Sequence, residues 1–103
     1  MYDQFLSNVI HCNLTHVIEP IRMASLDAAK KLHISADLIY IDAAHFENDV
    51  YNDIQAWLPK LKKNGVMCGD DWGYQSVQKA LSRICNEFGY QIHYDRNFWQ
   101  LLM

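Results

Sequence analysis

The stretch Leu38-Ile39-Tyr40-Ile41-Asp42 is a short apolar run that ends in a carboxylate. Such a run suits a strand covered on both faces. The pattern recurs downstream, where Gly65-Val66-Met67-Cys68-Gly69 is followed at once by Asp70-Asp71. Between the two, residues 47–58 place Val50, Ile54, Trp57 and Leu58, and then Leu61, at helical spacing. Pro59 ends or kinks that helix. Asn64-Gly65 supplies a left-handed turn after it. Strand, helix and strand in this order predict a parallel pair whose two carboxyl ends both carry aspartate.

Further along the chain, residues 74–88 form an amphipathic helix with Val77, Ala80, Leu81, Ile84 and Phe88 on one side, and Gly89 suits its stop. Residues 90–94 alternate, residues 98–102 read Phe-Trp-Gln-Leu-Leu, and Asp95-Arg96-Asn97 between them is a hairpin-length turn. Upstream, Phe5, Leu6, Val9 and Ile10 give residues 2–11 a helical face. Residues 16–22 are rich in β-branched residues and predict a strand, which Pro20 restricts to an edge or to one free side. Ser25 is placed to cap a short helix running to Leu32. The predicted order α-β-α-β-α-β-α-β-β argues an α/β fold, a mainly parallel sheet with a C-terminal antiparallel hairpin.

The chain has 103 residues, enough for a single domain over 1–103. Half of it is hydrophobic, which is a globular balance. No run reaches about 18 apolar residues, so no membrane-spanning helix is predicted. Nine Lys and Arg against twelve Asp and Glu leave no basic field for nucleic acid. The one basic cluster, Lys60, Lys62 and Lys63, is read as complementing a helix end. Cys12, Cys68 and Cys85 form no CxxC pair, so reduced thiols and a cytoplasmic setting are expected. There is no basic and apolar leader, no GxSxG, no Walker loop and no HExxH.

Ligands of open α/β sheets bind beyond the carboxyl ends of the strands. If the two aspartate-ended strands are neighbours, Asp42, Asp70, Asp71 and His45 share one rim. Three oxygen donors without a thiolate suit Mg²⁺, Mn²⁺ or Ca²⁺. His45, three residues past Asp42, is then a candidate general base. Helix capping explains Asp42 and Asp71 equally well, because an Asp after a strand often caps the next helix. Trp72 is open to two readings, a cleft lining or a cover over the sheet end. His11, His16, His33 and His93 read as structural or surface residues, and Cys68 as a small buried hydrophobe.

The segments Asp37-Leu-Ile-Tyr-Ile-Asp42-Ala-Ala-His45, Ala56-Trp-Leu-Pro-Lys-Leu61 and Lys63-Asn-Gly65-Val-Met-Cys-Gly69-Asp-Asp-Trp-Gly73 resemble class I S-adenosylmethionine-dependent methyltransferases. Among these, the chain looks most like the metal-dependent small-molecule and sugar O-methyltransferases, with an IDxxH strand end and a GGVxxGDDW strand end. The resemblance implies a partial Rossmann-like, three-layer sandwich that lacks the family's first two strands. It implies S-adenosylmethionine as cofactor, a divalent cation such as Mg²⁺, and a small-molecule hydroxyl as methyl acceptor. By the same resemblance Asp42, Asp70 and Asp71 are metal ligands and His45 is the base. Met23, Ala24, Ser25, Asp42 and Ala43 are cofactor contacts, with Ala24 standing where the family often has an acid.

The chain departs from the family pattern in having no GxGxG loop. In family terms it begins at the helix after the second strand and covers the C-terminal portion of the domain. The family's central strand would lie between the segments 16–22 and 38–42. Without it, either two edges are exposed or those two segments pair directly, and an exposed parallel edge invites homodimer pairing. Three functions follow as expectations: a methyltransferase portion without its main cofactor loop, inactive as an isolated chain; a non-catalytic interaction or oligomerisation domain; or a divalent-cation site without transferase chemistry.

Overall fold

The computed structural model describes residues 2–42 and 46–103. The elements are α1 (Tyr2–His11), α2 (Ser25–Lys31), β1 (Ala36–Ile41), α3 (Glu47–Trp57), β2 (Leu61–Gly69), α4 (Gln75–Phe88), β3 (Gln91–Asp95) and β4 (Phe98–Leu102). One turn of 3-10 helix, Leu58–Lys60, joins α3 to β2 and contains the Pro59 that ends α3. Gly89, with φ of 74°, takes the left-handed conformation that closes α4.

The strands form one sheet in the order β1-β2-β4-β3. Only β1 and β2 run parallel, while β2–β4 and β4–β3 are antiparallel. The sheet is therefore mixed rather than mainly parallel, and β1 is an edge. The reason lies at residues 16–22, which form no strand. Val17 and Ile18 both donate their amides to the carbonyl of Leu14, a local turn. Their β-branched side chains find no neighbouring strand, and strand propensity counts only against such neighbours.

The core lies on one face of the sheet. Val50, Tyr51 and Ile54 of α3 and Val77, Ala80, Leu81 and Ile84 of α4 pack on Met67, Trp99 and Leu101. Ile54, Met67, Ala80, Leu81 and Ile84 have no exposed surface. Helix α2 packs against α3. No helix among the described residues packs comparably on the opposite face, where Leu38 and Tyr40 are exposed. The expected three layers are thus two here. A radius of gyration of 14.5 Å exceeds the roughly 13 Å of a compact chain of this length, in keeping with α1 making few contacts with the rest.

Strand β2 is longer than predicted. Ala36 pairs with Leu61 and Leu38 with Val66, so an irregularity in β2 spans the residues between. Asn64, with φ of 68°, sits in it. The left-handed residue read as a turn therefore builds a bulge inside one strand. Nor do the three lysines cluster at a helix end. Lys60 Nζ donates to the Leu32 carbonyl at the C-terminus of α2 (2.6 Å), and Lys62 pairs with Asp37 (3.4 Å).

Candidate functional site

Ile41 and Gly69 are register partners at the carboxyl ends of β1 and β2, so Asp42 and Asp70 leave the sheet from adjacent strands. The amide of Asp70 still donates to the Ile41 carbonyl (3.3 Å). Gly69 is required for this closeness. A Cβ there would lie 2.5 Å from the Ile41 carbonyl oxygen and 2.5 Å from the Trp99 ring.

The loop after β2 is held by main-chain and side-chain bonds. Trp99 Nε1 donates to the Asp70 carbonyl (3.0 Å) and Gln78 Nε2 to the Trp72 carbonyl (2.8 Å). The Trp72 amide donates to the Asn97 carbonyl (2.9 Å). The Trp72 ring stacks on Tyr94 at 4.9 Å between centroids. Trp72 thereby covers the end of the sheet, one of its two sequence readings. Asp71 takes a left-handed φ of 65°, which turns the chain toward α4.

Neither Asp42 nor Asp71 is itself an N-cap residue. Helix α3 has Phe46 at its N-cap and α4 has Tyr74, neither with a side-chain cap bond. The rim is electrically negative, and Tyr40 registers it. Its hydroxyl is pushed above the ordinary value of 10.0 by partial desolvation first, and then by the charges of Asp70, Asp42, Cys68 and Asp71. Asp70, Asp42 and Asp71 thus all act on the Tyr40 hydroxyl in the same direction. Even so, no group of three or more His, Cys, Asp or Glu among the described residues is arranged to hold a metal ion. Ala43 and His45, named for cofactor contact and base, lie outside the described residues.

Of the cofactor turn, Met23 is exposed and Ala24 occupies the N-cap of α2. Ser25 is thus inside the helix and does not cap it. Its hydroxyl instead accepts from Trp57 Nε1 (2.8 Å) and is bonded to Asp53. Ser25 and Asp42 do meet, lining one trough of about 320 Å³ along β1 with Ile34, Tyr40, Asp53 and Trp57.

Asp53 was not singled out from sequence. It is 7 % exposed, and burial first, with Asp49 adding, pushes its carboxyl above the ordinary 3.8, against the lowering bond from Ser25. The signal was available. Asp53 stands three residues after Val50 and four before Trp57, on the apolar stripe of its own helix.

Comparisons with known proteins bear on the same segment. A family described as "Methyltransferase domain" matches residues 2–72. An uncharacterized protein, y4gI, of Sinorhizobium fredii is 32% identical over 75 residues, covering 63% of this chain and 8% of that protein. The chain therefore spans a small part of the curated relative it matches. The match to the family runs from α1 through β1 and β2 to the aspartate rim, and the chain belongs to the methyltransferase domain family.

Proposed function

We propose that this chain forms part of an S-adenosylmethionine-dependent methyltransferase that alkylates a small-molecule hydroxyl at the Asp42–Asp70 rim. The observation that carries the reading is the Ile41–Gly69 register, which brings two carboxylates to neighbouring carboxyl ends of a parallel pair. In α/β sheets that is where ligands bind. Membership in the methyltransferase domain family supplies the reaction class and implies S-adenosylmethionine.

Bound S-adenosylmethionine supplies a methyl group on a cationic sulfur. A rim carrying Asp42, Asp70 and Asp71 offers such a cation a favourable field. His45 is the proposed base for the acceptor hydroxyl. A divalent cation, Mg²⁺ by its preference for oxygen, belongs to the reading as well. The described donors form no complete cage for it, yet Mg²⁺ commonly takes only one or two carboxylates and keeps water. Asp42 and Asp70 are the residues that would hold it, and when bound it lowers the pKa of a coordinated hydroxyl.

The second reading, a non-catalytic interaction domain, is favoured by the exposed apolar side chains of Leu38 and Tyr40 on β1. Isothermal titration with S-adenosylmethionine, with and without Mg²⁺, separates the two. Saturable binding that is lost in Asp42→Ala and Asp70→Ala supports the transferase reading. Equal affinity in both variants overturns the rim assignment. A folded chain that takes up neither ligand leaves the interaction reading in its place.

A further inference from the structure

We propose that the chain carries a binding site for a small aromatic carboxylate at the amino end of β2. A cavity there is walled by the end of α3, the bulge of β2 and the turn that closes α4. The inference does not rest on the transferase reading, because the aspartate rim lies at the other end of β2. Lys63 and Gly69 are separated by up to roughly 20 Å of extended chain.

The cavity has a volume of about 390 Å³. Small-molecule sites range over roughly 300–1,000 Å³ and pair apolar walls with a few polar groups. Here Leu58, Leu61, Phe88 and Tyr90 supply apolar wall, and Lys63 and Asn64 supply polar groups. No Asp or Glu among the described residues lines it.

The bulge in β2 builds this composition. Along a regular strand, successive side chains point to opposite faces. Yet the four residues from Leu61 to Asn64 all border the one cavity. The register shift opposite Ala36 and Leu38, with Asn64 at φ of 68°, breaks the alternation. Gly65 lets the strand fold back on itself. A Cβ there would lie 2.7 Å from Leu61 Cδ1 and 2.9 Å from the Lys62 carbonyl oxygen. Bulges of this kind re-aim side chains and are over-represented beside functional sites.

The aromatic pair favours a planar ligand. The left-handed Gly89 turns the chain after α4, and Phe88 and Tyr90 on either side of it stack at 5.4 Å between centroids and 16° between planes. Phe88 is 44% exposed, which leaves ring surface for a third aromatic group. The charge favours an anion. Lys60 is already bonded to the Leu32 carbonyl and Lys62 to Asp37. Lys63 has no hydrogen bond or ion pair among the described residues. Its ammonium suits one carboxylate oxygen, and the Asn64 amide is a donor for the second.

An NMR titration of the isotope-labelled chain with 2-naphthoate at neutral pH is the test, with the neutral isostere 2-naphthamide run alongside. The expected result is saturable shifts at Leu58, Leu61, Phe88 and Tyr90, with Asp42 and Asp70 unmoved. The acid should bind more tightly than the amide. Lys63→Gln should weaken 2-naphthoate roughly five-fold, the scale of one exposed ion pair, and leave 2-naphthamide unchanged. Phe88→Leu removes the stacked ring and should weaken both probes. If Phe88→Leu unfolds, Lys63→Gln decides alone, because Lys63 is exposed and unbonded. Shifts that do not saturate, or that fall at Asp42 and Asp70 instead, overturn the proposal. So does a Lys63→Gln chain that binds 2-naphthoate as tightly as wild type.

Discussion

The Trp99 indole donates to the carbonyl of Asp70 at 3.0 Å while its ring lies against the bare Cα of Gly69. One side chain of the antiparallel hairpin therefore fixes the end of the parallel pair. Gly69→Ala would drive a Cβ to 2.5 Å from both the Trp99 ring and the Ile41 carbonyl oxygen, and the latter is backbone with little freedom to yield. The expected loss of stability is about 1–3 kcal/mol, the scale of an overpacked core. Urea denaturation measures it. A midpoint equal to that of wild type would show that the rim is looser than this packing implies.

Tyr40 offers a spectroscopic view of the rim. Its hydroxyl is raised by desolvation and then by Asp70, Asp42 and Asp71. Asp70→Asn and Asp42→Asn each remove a negative charge, so each should bring the Tyr40 pKa down. The larger drop belongs to Asp70, the stronger of the two contributors. A site-resolved NMR titration of the Tyr40 ring reads this directly. No movement in either variant would mean that the carboxylates do not converge on this end of the sheet.

How far the sequence carried is instructive residue by residue. The apolar runs that end at Asp42 and Asp70 located β1 and β2, because burial and a carboxylate at the carboxyl end leave a local signature. Gly89 marked the end of α4, and the turn at Arg96, with φ of 57°, separates β3 and β4 where predicted. The strand at 16–22 failed because Val17 and Ile18 state a preference that only a neighbouring strand can satisfy. The extension of β2 back to Leu61 was hidden by Asn64, whose positive φ reads as a turn whether it ends an element or bulges one. Ser25 was read as a cap, yet what its hydroxyl holds lies 32 residues away at Trp57, beyond the reach of any local pattern. The positions of Asp42 and Asp70 at neighbouring strand ends were legible. Asp53 was legible only as a polar interruption of an apolar stripe.

The contact between α3 and α4 includes a partly buried polar network. Tyr51 donates to Glu87, the Arg83 guanidinium lies 3.8 Å from the centre of the Tyr51 ring, and Arg83 also reaches Glu47 (3.1 Å) and Asn48 (2.9 Å). Tyr51→Phe keeps the ring and the cation contact and removes only the hydroxyl. It should cost about 1 kcal/mol, the net value of one such bond. Arg83→Ala should cost a similar roughly 1 kcal/mol, because its ion pair is about two-fifths exposed and screened. Thermal unfolding of the two variants and of the double variant gives the coupling. Strict additivity would show that Tyr51 and Arg83 act independently despite their contact.

Asp53 gives the chain a pH dependence of defined sign. Burial raises its carboxyl in the folded state above the ordinary 3.8. A raised pKa means that the folded state holds the proton more tightly than the unfolded chain does. The associated stability is fully present below the unfolded value and is lost as pH rises through the folded value. Asp53→Asn removes this titration, so relative to wild type the variant should gain stability as pH rises from the acid side through the carboxylate range. Ser25→Ala removes the bond that lowers the carboxyl, and the Asp53 resonance should then titrate at still higher pH. Denaturant unfolding across this range, with a carbon-detected titration of Asp53, checks both expectations. If the gap between wild type and Asp53→Asn stays constant with pH, then Asp53 is not desolvated at the α2–α3 contact.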